Sequence, residues 1–237
     1  MKKALAIMLL QVACGALCPS VVSAQHPVIQ QLVDAVDTDA MVHDLERLTG
    51  EEPLDLGSGE VLIASRFQSA EGNALAAQWL QLRLEAMGYT VTTQEFGLYG
   101  KNVLAERTGT LHPERKVVLS AHYDAMPGGG MLAPAADDDG TGVCTVLEAA
   151  RLLADVELEN SVVFAFFDEE EQGLVGSARY TTIAAANDMH IVGAVNVDMV
   201  GYDGNGDRAM RVHTRTVANS VAIKDSVLAA NVDYGID

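Results

Sequence analysis

The sequence predicts an α/β fold whose sheet is parallel at its centre. Three runs are almost uninterruptedly apolar, at 116–121, 161–167 and 191–197, and such runs are typical of strands buried on both faces of a parallel sheet. Helical patterns occupy both gaps between these runs, and alternating strands and helices indicate an α/β domain. We find no internal repeat and no linker rich in Pro, Gly or Ser, so one domain is expected.

The first 24 residues have the composition of a secretory signal peptide. A Lys2-Lys3 start precedes an apolar run, and Val22-Ser23-Ala24 supplies the small residues of a cleavage site. No later stretch reaches about 18 uninterrupted apolar residues, so no transmembrane helix is expected. We therefore expect a signal peptide over 1–24, a folded domain over 25–237 and a secreted or periplasmic protein.

The chain is strongly acidic, with a formal net charge of −18 that becomes −20 when Lys2 and Lys3 leave with the signal peptide. This charge argues against binding to nucleic acid or anionic membranes. It favours metal cations or amine-bearing substrates, although solubility alone also explains it. Two of the three cysteines lie in the signal peptide, so Cys144 has no partner for an intrachain disulfide. The fold must therefore be stabilised by its hydrophobic core.

The first half of the chain predicts two helices and then two strands. The pattern over 26–50 is helical, and an acidic connector that contains glycines follows it. A second helix is expected over 73–87, because apolar residues recur at helical spacing and Gly88 follows as a C-cap. Short strands are expected at 89–96 and 101–107, before the three apolar strands begin.

Helices are expected in the gaps between the apolar strands. After the first strand, apolar residues recur at helical spacing. These residues are Val143, Val146, Leu147 and Ala150. The segment 175–187 suggests a second helix after the second strand, which completes the alternation of strands and helices.

Each of the three apolar strands ends on residues that can bind a metal. His122 follows the first strand, the acids of 168–171 follow the second, and Asp198 follows the third. Because ligand sites of open α/β sheets lie at the carboxyl ends of the strands, we expect these side chains to converge. Taken singly, each has a simpler explanation, since an aspartate after a strand often caps a helix and an acidic run is often solvated.

Two neighbouring features support a metal site. Asp124 lies two residues after His122, where it can accept a hydrogen bond from the imidazole nitrogen that faces away from the metal. Three aspartates at 137–139 precede the helix that begins near Thr141, although helix capping alone also accounts for them. Histidine and carboxylates without paired cysteines suit a catalytic zinc site. Nucleophilic catalysis is less favoured, because no Gly-x-Ser-x-Gly motif occurs.

Four motifs occur in a fixed order at these strand ends. They are SAHYDAM (120–126), PAADDDGTG (134–142), FDEEEQGLVGS (167–177) and NVDMVGY (196–202). Together they resemble the co-catalytic zinc aminopeptidases of peptidase family M28, and the resemblance extends over roughly 40–215. It implies the zinc-exopeptidase fold, a three-layer sandwich with a mixed, centrally parallel sheet and helices on both faces.

The resemblance implies a metal-binding role for four residues and a complete centre of two zinc ions. His122 and Asp198 would bind the first ion, and Asp138 would bridge it to the second. Glu171 would bind the second ion. The resemblance also implies a cis peptide bond between Asp138 and Asp139.

The resemblance implies that Glu170 is the general base, with Asp124 supporting catalysis beside His122. The reaction would be hydrolysis of the first peptide bond in peptides with a free N-terminus. Two alternatives stay open. One is a glutaminyl cyclase, which uses a single zinc ion on the same fold, and the other is an inactive relative that keeps the fold for binding. Zinc stoichiometry distinguishes the first alternative, and absence of turnover distinguishes the second.

The resemblance further implies a fifth ligand, a histidine well downstream of Asp198. The chain ends at Asp237, 39 residues after Asp198, and His213 comes too early to match. We therefore expect that the C-terminal part of the domain is missing from this chain or that the gene product is short. With only Asp138 and Glu171 at the second site, residues 25–237 are expected to bind about one zinc ion, to aggregate and to hydrolyse substrates poorly.

Overall fold

The computed structural model describes residues 26–57, 59–127 and 132–235. The predicted signal peptide lies outside the described residues. The helices are α1 (Pro27–Asp34), α2 (Thr38–Thr49), α3 (Glu71–Ala86), α4 (Gly142–Leu153), α5 (Val175–Ala186) and α6 (Ser220–Asp233). The strands are β1 (Leu54–Asp55), β2 (Glu60–Val61), β3 (Val91–Phe96), β4 (Gly100–Arg107), β5 (His112–His122), β6 (Asn160–Phe167) and β7 (His190–Asn196).

The central sheet of the described residues has the strand order β3-β4-β6-β5-β7. Strand β5 runs parallel to β6 and β7, whereas β4 runs antiparallel to β3 and β6. His122 lies opposite Phe167, and Ser120 lies opposite Asn196. The carboxyl ends of the three parallel strands therefore meet at one edge of the sheet, and the predicted mixed sheet with a parallel centre is confirmed.

Helices cover both faces of this sheet. Side chains alternate between the faces of a strand, so Phe164 and Phe166 of β6 pack on one face with residues of α1 to α4 and α6. Ala165 of the same strand points to the other face, where it packs with Tyr180 of α5. All eight residues of β6 are buried. The predicted three-layer sandwich is confirmed.

The helical segment predicted over 26–50 is divided into α1 and α2. The break falls at Asp37, whose Oδ1 accepts a hydrogen bond from the main-chain N of Ala40 at 2.9 Å and so caps α2. Gly50 ends α2 with a φ of 79°. A Cβ at Gly50 would lie 2.1 Å from the carbonyl oxygen of Ile63, so only glycine fits there.

The prediction that 191–197 is buried on both faces was wrong. Val195 and Val197 are buried, but Ala194 and Asn196, which alternate with them along the strand, are exposed. Strand β7 lies at one edge of the described sheet, so fewer neighbouring elements are available to cover its second face. Among the described helices, none combines the length and the apolarity needed to cross a lipid bilayer.

Candidate metal centre

His122 ends β5 with its side chain almost fully buried. Its Nε2 lies 3.2 Å from Oδ1 of Asp138. Its Nδ1 lies 3.2 Å from the main-chain oxygen of Asp124 and 3.4 Å from Oδ1 of the same residue. Burial lowers the pKa of His122, but the hydrogen bond to Asp124 and the charge of Asp139 outweigh burial and raise it to about 9. The imidazole therefore lies between two aspartates, with Nδ1 beside Asp124 and Nε2 beside Asp138.

The structure brings three of the predicted ligands together. His122, Asp138 and Asp198 each offer one ligand atom, and these atoms all lie within 4.8 Å of one another. His122 is buried, Asp138 is half-buried and Asp198 is exposed, so the group opens to solvent on the side of Asp198. The group offers one imidazole nitrogen and two carboxylate oxygens, and one side of it is open. Such a donor set suits a catalytic zinc ion.

Asp124 also holds the loop that carries the acidic run. Its carboxylate is fully buried. Oδ1 accepts a hydrogen bond from the main-chain N of Glu170 at 3.0 Å, and Oδ2 accepts one from the main-chain N of Glu171 at 3.2 Å. Asp124 therefore connects the His122 end of β5 to the loop after β6. The sequence predicted only its contact with the imidazole.

Glu170 and Glu171 face the same group of charges. Burial raises the pKa of Glu170, the charge of His122 lowers it, and the charge of Asp124 raises it. Burial also raises the pKa of Glu171, and the charge of Asp138 adds to this effect. Neither glutamate belongs to the three-residue ligand group found among the described residues. The structure therefore brings together three of the four predicted metal ligands and leaves Glu171 outside the group.

The two outer aspartates of the 137–139 triplet, Asp137 and Asp139, accept hydrogen bonds from main-chain N–H groups on either side of Asp138. Oδ1 of Asp139 accepts hydrogen bonds from the main-chain N of Gly142 at 2.9 Å and of Met199 at 3.3 Å. Oδ2 of Asp139 accepts one from the main-chain N of His122 at 3.2 Å. Burial raises the pKa of Asp139 to about 8. The hydrogen bond from Gly142 at the start of α4 fits the interpretation of the triplet as a helix cap. The contacts of Asp139 with His122 at the end of β5 and with Met199 after β7 were not predicted.

Asp137 connects the same triplet to the loop after β7. Its Oδ1 accepts hydrogen bonds from the main-chain N of Gly201 at 2.7 Å and of Tyr202 at 3.0 Å. The peptide bond between Asp138 and Asp139 is cis, as the resemblance implied. Of the three aspartates, only Asp138 belongs to the ligand group found among the described residues.

Asp168 is a buried anchor that the sequence did not identify. Its carboxylate accepts hydrogen bonds from Nδ2 of Asn73 at 3.0 Å, from the main-chain N of Lys101 at 2.9 Å and from Oη of Tyr123 at 2.9 Å. It also accepts one from the main-chain N of Glu169 at 2.9 Å. These partners come from α3, β4 and the end of β5, so Asp168 joins the acidic loop to three other parts of the fold.

Replacement of Asp168 by alanine is expected to destabilise the protein by about 3 kcal/mol or more, because each buried donor left without a partner costs about 1–3 kcal/mol. Urea unfolding of the variant and of wild type measures the difference. Glu169→Ala is the matched control, since Glu169 is only half-buried and its loss is expected to change the free energy of unfolding by about 0.5 kcal/mol or less. A loss below about 1 kcal/mol for Asp168→Ala contradicts the anchoring role.

A second group of possible ligands lies on the surface. Nδ1 of His43 is 3.2 Å from Oε2 of Glu46 and 3.1 Å from Oε1 of Glu52. Nη2 of Arg47 lies 3.7 Å from Oε2 of Glu52. Glu52 already has Arg47 as a cationic partner, so contacts among these surface side chains account for the group without a metal.

The sequence of this chain matches a known protein family and several curated proteins. Residues 102–235 match peptidase family M28. Leucine aminopeptidase 2 of Trichophyton equinum is 35% identical over 114 residues, which are 44% of this chain and 22% of that protein. The chain spans well under two thirds of the length of the curated relatives that it matches.

Two solved structures have the same fold. The LapA aminopeptidase of Legionella pneumophila superposes with a TM-score of 0.63 at 21% identity, over 79% of this chain and 50% of that one. The glutaminyl cyclase of Porphyromonas gingivalis superposes with a TM-score of 0.57 at 22% identity, over 71% of this chain and 61% of that one. The predicted fold and the predicted family are confirmed, and this chain belongs to peptidase family M28.

Proposed function

We propose that this chain carries the metal centre of a zinc-dependent aminopeptidase that removes N-terminal residues from peptides. The observation that carries the proposal is the meeting of His122, Asp138 and Asp198 within 4.8 Å at the carboxyl ends of the parallel strands. Membership of peptidase family M28 supports hydrolysis of peptides, and the fungal relative named leucine aminopeptidase 2 supports attack at the N-terminus.

His122, Asp138 and Asp198 would hold the first zinc ion. A second ion would share Asp138 and use Glu171, whose pKa is raised by burial and by the charge of Asp138. The charge of Asp138 that raises this pKa is repulsion between two carboxylates, and a bound dication would relieve it. When bound, zinc lowers the pKa of a coordinated water and polarises the carbonyl of the scissile bond.

Glu170 would act as the general base. Its main-chain N is held by Asp124, which fixes the position of the residue while the Glu170 carboxylate stays outside the ligand group. Burial raises the pKa of Glu170, which brings this carboxylate closer to the range in which a base accepts and returns a proton efficiently. Glu170 would take a proton from the attacking water and pass it to the amine that leaves.

The substrates would be peptides with a free N-terminus. The net charge of −18 favours a positively charged amine over nucleic acid or an anionic membrane. The sequence of residues 1–24 supports secretion or export to the periplasm, where extracellular peptides would be available.

A glutaminyl cyclase is the second candidate. It would use one zinc ion to cyclise an N-terminal glutamine, and the glutaminyl cyclase of Porphyromonas gingivalis has the same fold. One observation favours it, because only a single three-residue ligand group forms at the strand ends in the described part of the chain, without Glu171. An inactive relative that binds without turnover is the third possibility.

Incubation of the full-length protein with a peptide that begins Gln-Leu separates these functions. Mass spectrometry of the products is expected to show free glutamine and the shortened peptide, and removal of zinc with a chelator is expected to stop their release. A pyroglutamyl peptide of full length would support the cyclase instead. No product from this peptide, together with none from its leucine-initial analogue, would support an inactive relative. The same peptide with an acetylated N-terminus is the control and should stay intact.

A further inference from the structure

We propose that Arg66 is a positioning residue of the metal centre, which sets the separation of His122 and Asp138 by binding both chain segments that carry them. Arg66 lies in the segment between β2 and α3, far from both ligands in sequence. It has no role in the function proposed above, although the inference rests on that function for the identity of the metal.

The guanidinium group of Arg66 is fully buried and donates hydrogen bonds to four main-chain carbonyl oxygens. Nε donates to Tyr123 at 2.8 Å, and Nη2 donates to Ala135 at 2.9 Å. Nη1 donates to Pro134 at 2.6 Å and to Leu48 at 2.7 Å. One side chain therefore joins the end of β5, the segment that leads into the aspartate triplet and the last turn of α2.

The main chain of Arg66 contacts the same two ligand-bearing segments as its side chain. Its N donates to the carbonyl oxygen of Ala133 at 3.3 Å, and its carbonyl oxygen accepts from the main-chain N of Ala125 at 3.1 Å. Ala125 follows Asp124, and Ala133 lies five residues before Asp138. Both ligand-bearing segments are thus held by the side chain and by the main chain of the same residue.

The segment before the triplet needs this support. Ala135 has a φ of 43°, in the left-handed region that is unfavourable for alanine. Its carbonyl oxygen accepts from Nη2 of Arg66 and from the main-chain N of Gly140, at 2.9 and 3.2 Å. Such strained residues persist where the surrounding contacts fix them. The bonds from Arg66 therefore fix the direction in which the chain enters the triplet.

Lysine cannot replace these bonds. A guanidinium is planar and spreads five N–H donors in a fixed fork, whereas an ammonium group offers three donors at a single point. Three of the four acceptors, Tyr123, Pro134 and Ala135, belong to the two ligand-bearing segments. Arg66→Lys keeps a positive charge but loses the fork, which makes it a test of geometry.

The positive charge of Arg66 and its hydrogen bonds have opposite effects on the affinity of the site for a metal ion. Burial lowers the pKa of Arg66 to about 10, so the group stays charged at neutral pH, and the charges of Asp139 and Asp124 help to keep it charged. A fixed positive charge near the ligands repels a dication. Loss of that charge alone would strengthen metal binding, whereas loss of the positioning bonds would weaken it. The sign of the change therefore separates the two effects.

The test uses Co²⁺ as a spectroscopic substitute for zinc in wild type, Arg66→Lys, Arg66→Met and Leu84→Ala. Visible absorption reports the ligand geometry, and competition with a chelator gives Kd. Leu84→Ala is the destabilised control, because Leu84 is a fully buried residue of the core on α3. The melting temperature of each metal-free protein is measured in parallel.

Both Arg66 variants are expected to bind Co²⁺ at least about 10-fold more weakly and to show altered absorption bands, as loss of residues that orient metal ligands typically does. Leu84→Ala is expected to keep the wild-type spectrum and Kd despite a lower melting temperature. Wild-type spectra and Kd for both Arg66 variants would overturn the inference. So would tighter binding by Arg66→Met, or the same spectral change in Leu84→Ala.

If neither Arg66 variant folds, nitrogen-15 NMR of the wild-type protein tests the positioning role of Arg66. The Nε–H proton of Arg66 is expected to be protected from solvent exchange and to shift when zinc is added. Exchange as fast as in an exposed arginine, or no shift, would overturn the inference. Peptide hydrolysis measured on the same samples separates the two proposals. A full-length wild type that binds Co²⁺ but cleaves no peptide refutes the proposed function and leaves the role of Arg66 intact.

Discussion

In the full-length protein, Glu170→Gln is expected to lower peptide hydrolysis by about 10²-fold or more while zinc stays bound, since a general base typically contributes 10²–10⁴-fold to the rate. Glutamine keeps the size of the side chain and its main-chain N–H, which donates to Asp124 at 3.0 Å. It cannot accept the proton from the attacking water. Glu170 lies outside the ligand group of His122, Asp138 and Asp198, so the metal should remain.

Zinc content and turnover of Glu170→Gln are measured on the same preparation. Glu169→Gln is the matched control, because it removes one charge from the same acidic run without altering the proposed base. The control is expected to keep most of the wild-type rate. Equal rates for Glu170→Gln and wild type, or loss of zinc from Glu170→Gln, would contradict the assignment of this residue as the base.

His122→Ala is expected to weaken zinc binding by more than about 100-fold. Loss of a residue that only supports a ligand already costs about 10–100-fold in affinity, and His122 would supply the one nitrogen of the group. Its removal leaves the carboxylates of Asp138 and Asp198, which without an imidazole form a poorer site for zinc. Activity should fall with the metal content.

Competition with a chromophoric chelator measures the zinc affinity of His122→Ala. His190→Ala is the matched control, because His190 is an exposed histidine at the start of β7 and its loss should leave the affinity unchanged. A similar Kd for wild type and His122→Ala would show that zinc binds elsewhere. Equal losses in both histidine variants would show that the assay reports nonspecific binding.

Residues at strand ends could be located from the sequence because a single physical rule places them. His122, the acids of 168–171 and Asp198 follow apolar runs, and parallel strands bring their carboxyl ends to one edge. The structure confirms this for the parallel strands, where His122 lies opposite Phe167. The meeting of His122 and Asp198 therefore follows from the strand pattern, and the resemblance to family M28 adds Asp138 to them.

Buried residues that hold the site could not be found in this way. Asp168 is bonded to Asn73, 95 residues away in sequence, and Arg66 to Tyr123, 57 residues away. Most of the acceptors and donors involved are main-chain groups, which any residue type carries. No residue pattern marks them, so the acidic run and the segment at Arg66 gave no signal of these contacts.

The predictions for the helical segment 26–50 and for the burial of 191–197 were wrong for a related reason. The break between α1 and α2 depends on the Asp37 cap, a single hydrogen bond to Ala40. The exposure of Ala194 in β7 depends on the position of that strand at the edge of the described sheet. The first is a local side-chain cap and the second is a tertiary feature, and a hydrophobic pattern encodes neither of them.

X-ray absorption at the zinc edge of the purified protein tests the central claim most directly. We expect a first shell of nitrogen and oxygen at about 2.0–2.2 Å that includes one imidazole, as His122 with Asp138 and Asp198 would provide. The imidazole contribution should disappear in His122→Ala. A sulfur shell at about 2.3 Å, a first shell with two or more imidazoles, or an unchanged spectrum in His122→Ala would contradict the account.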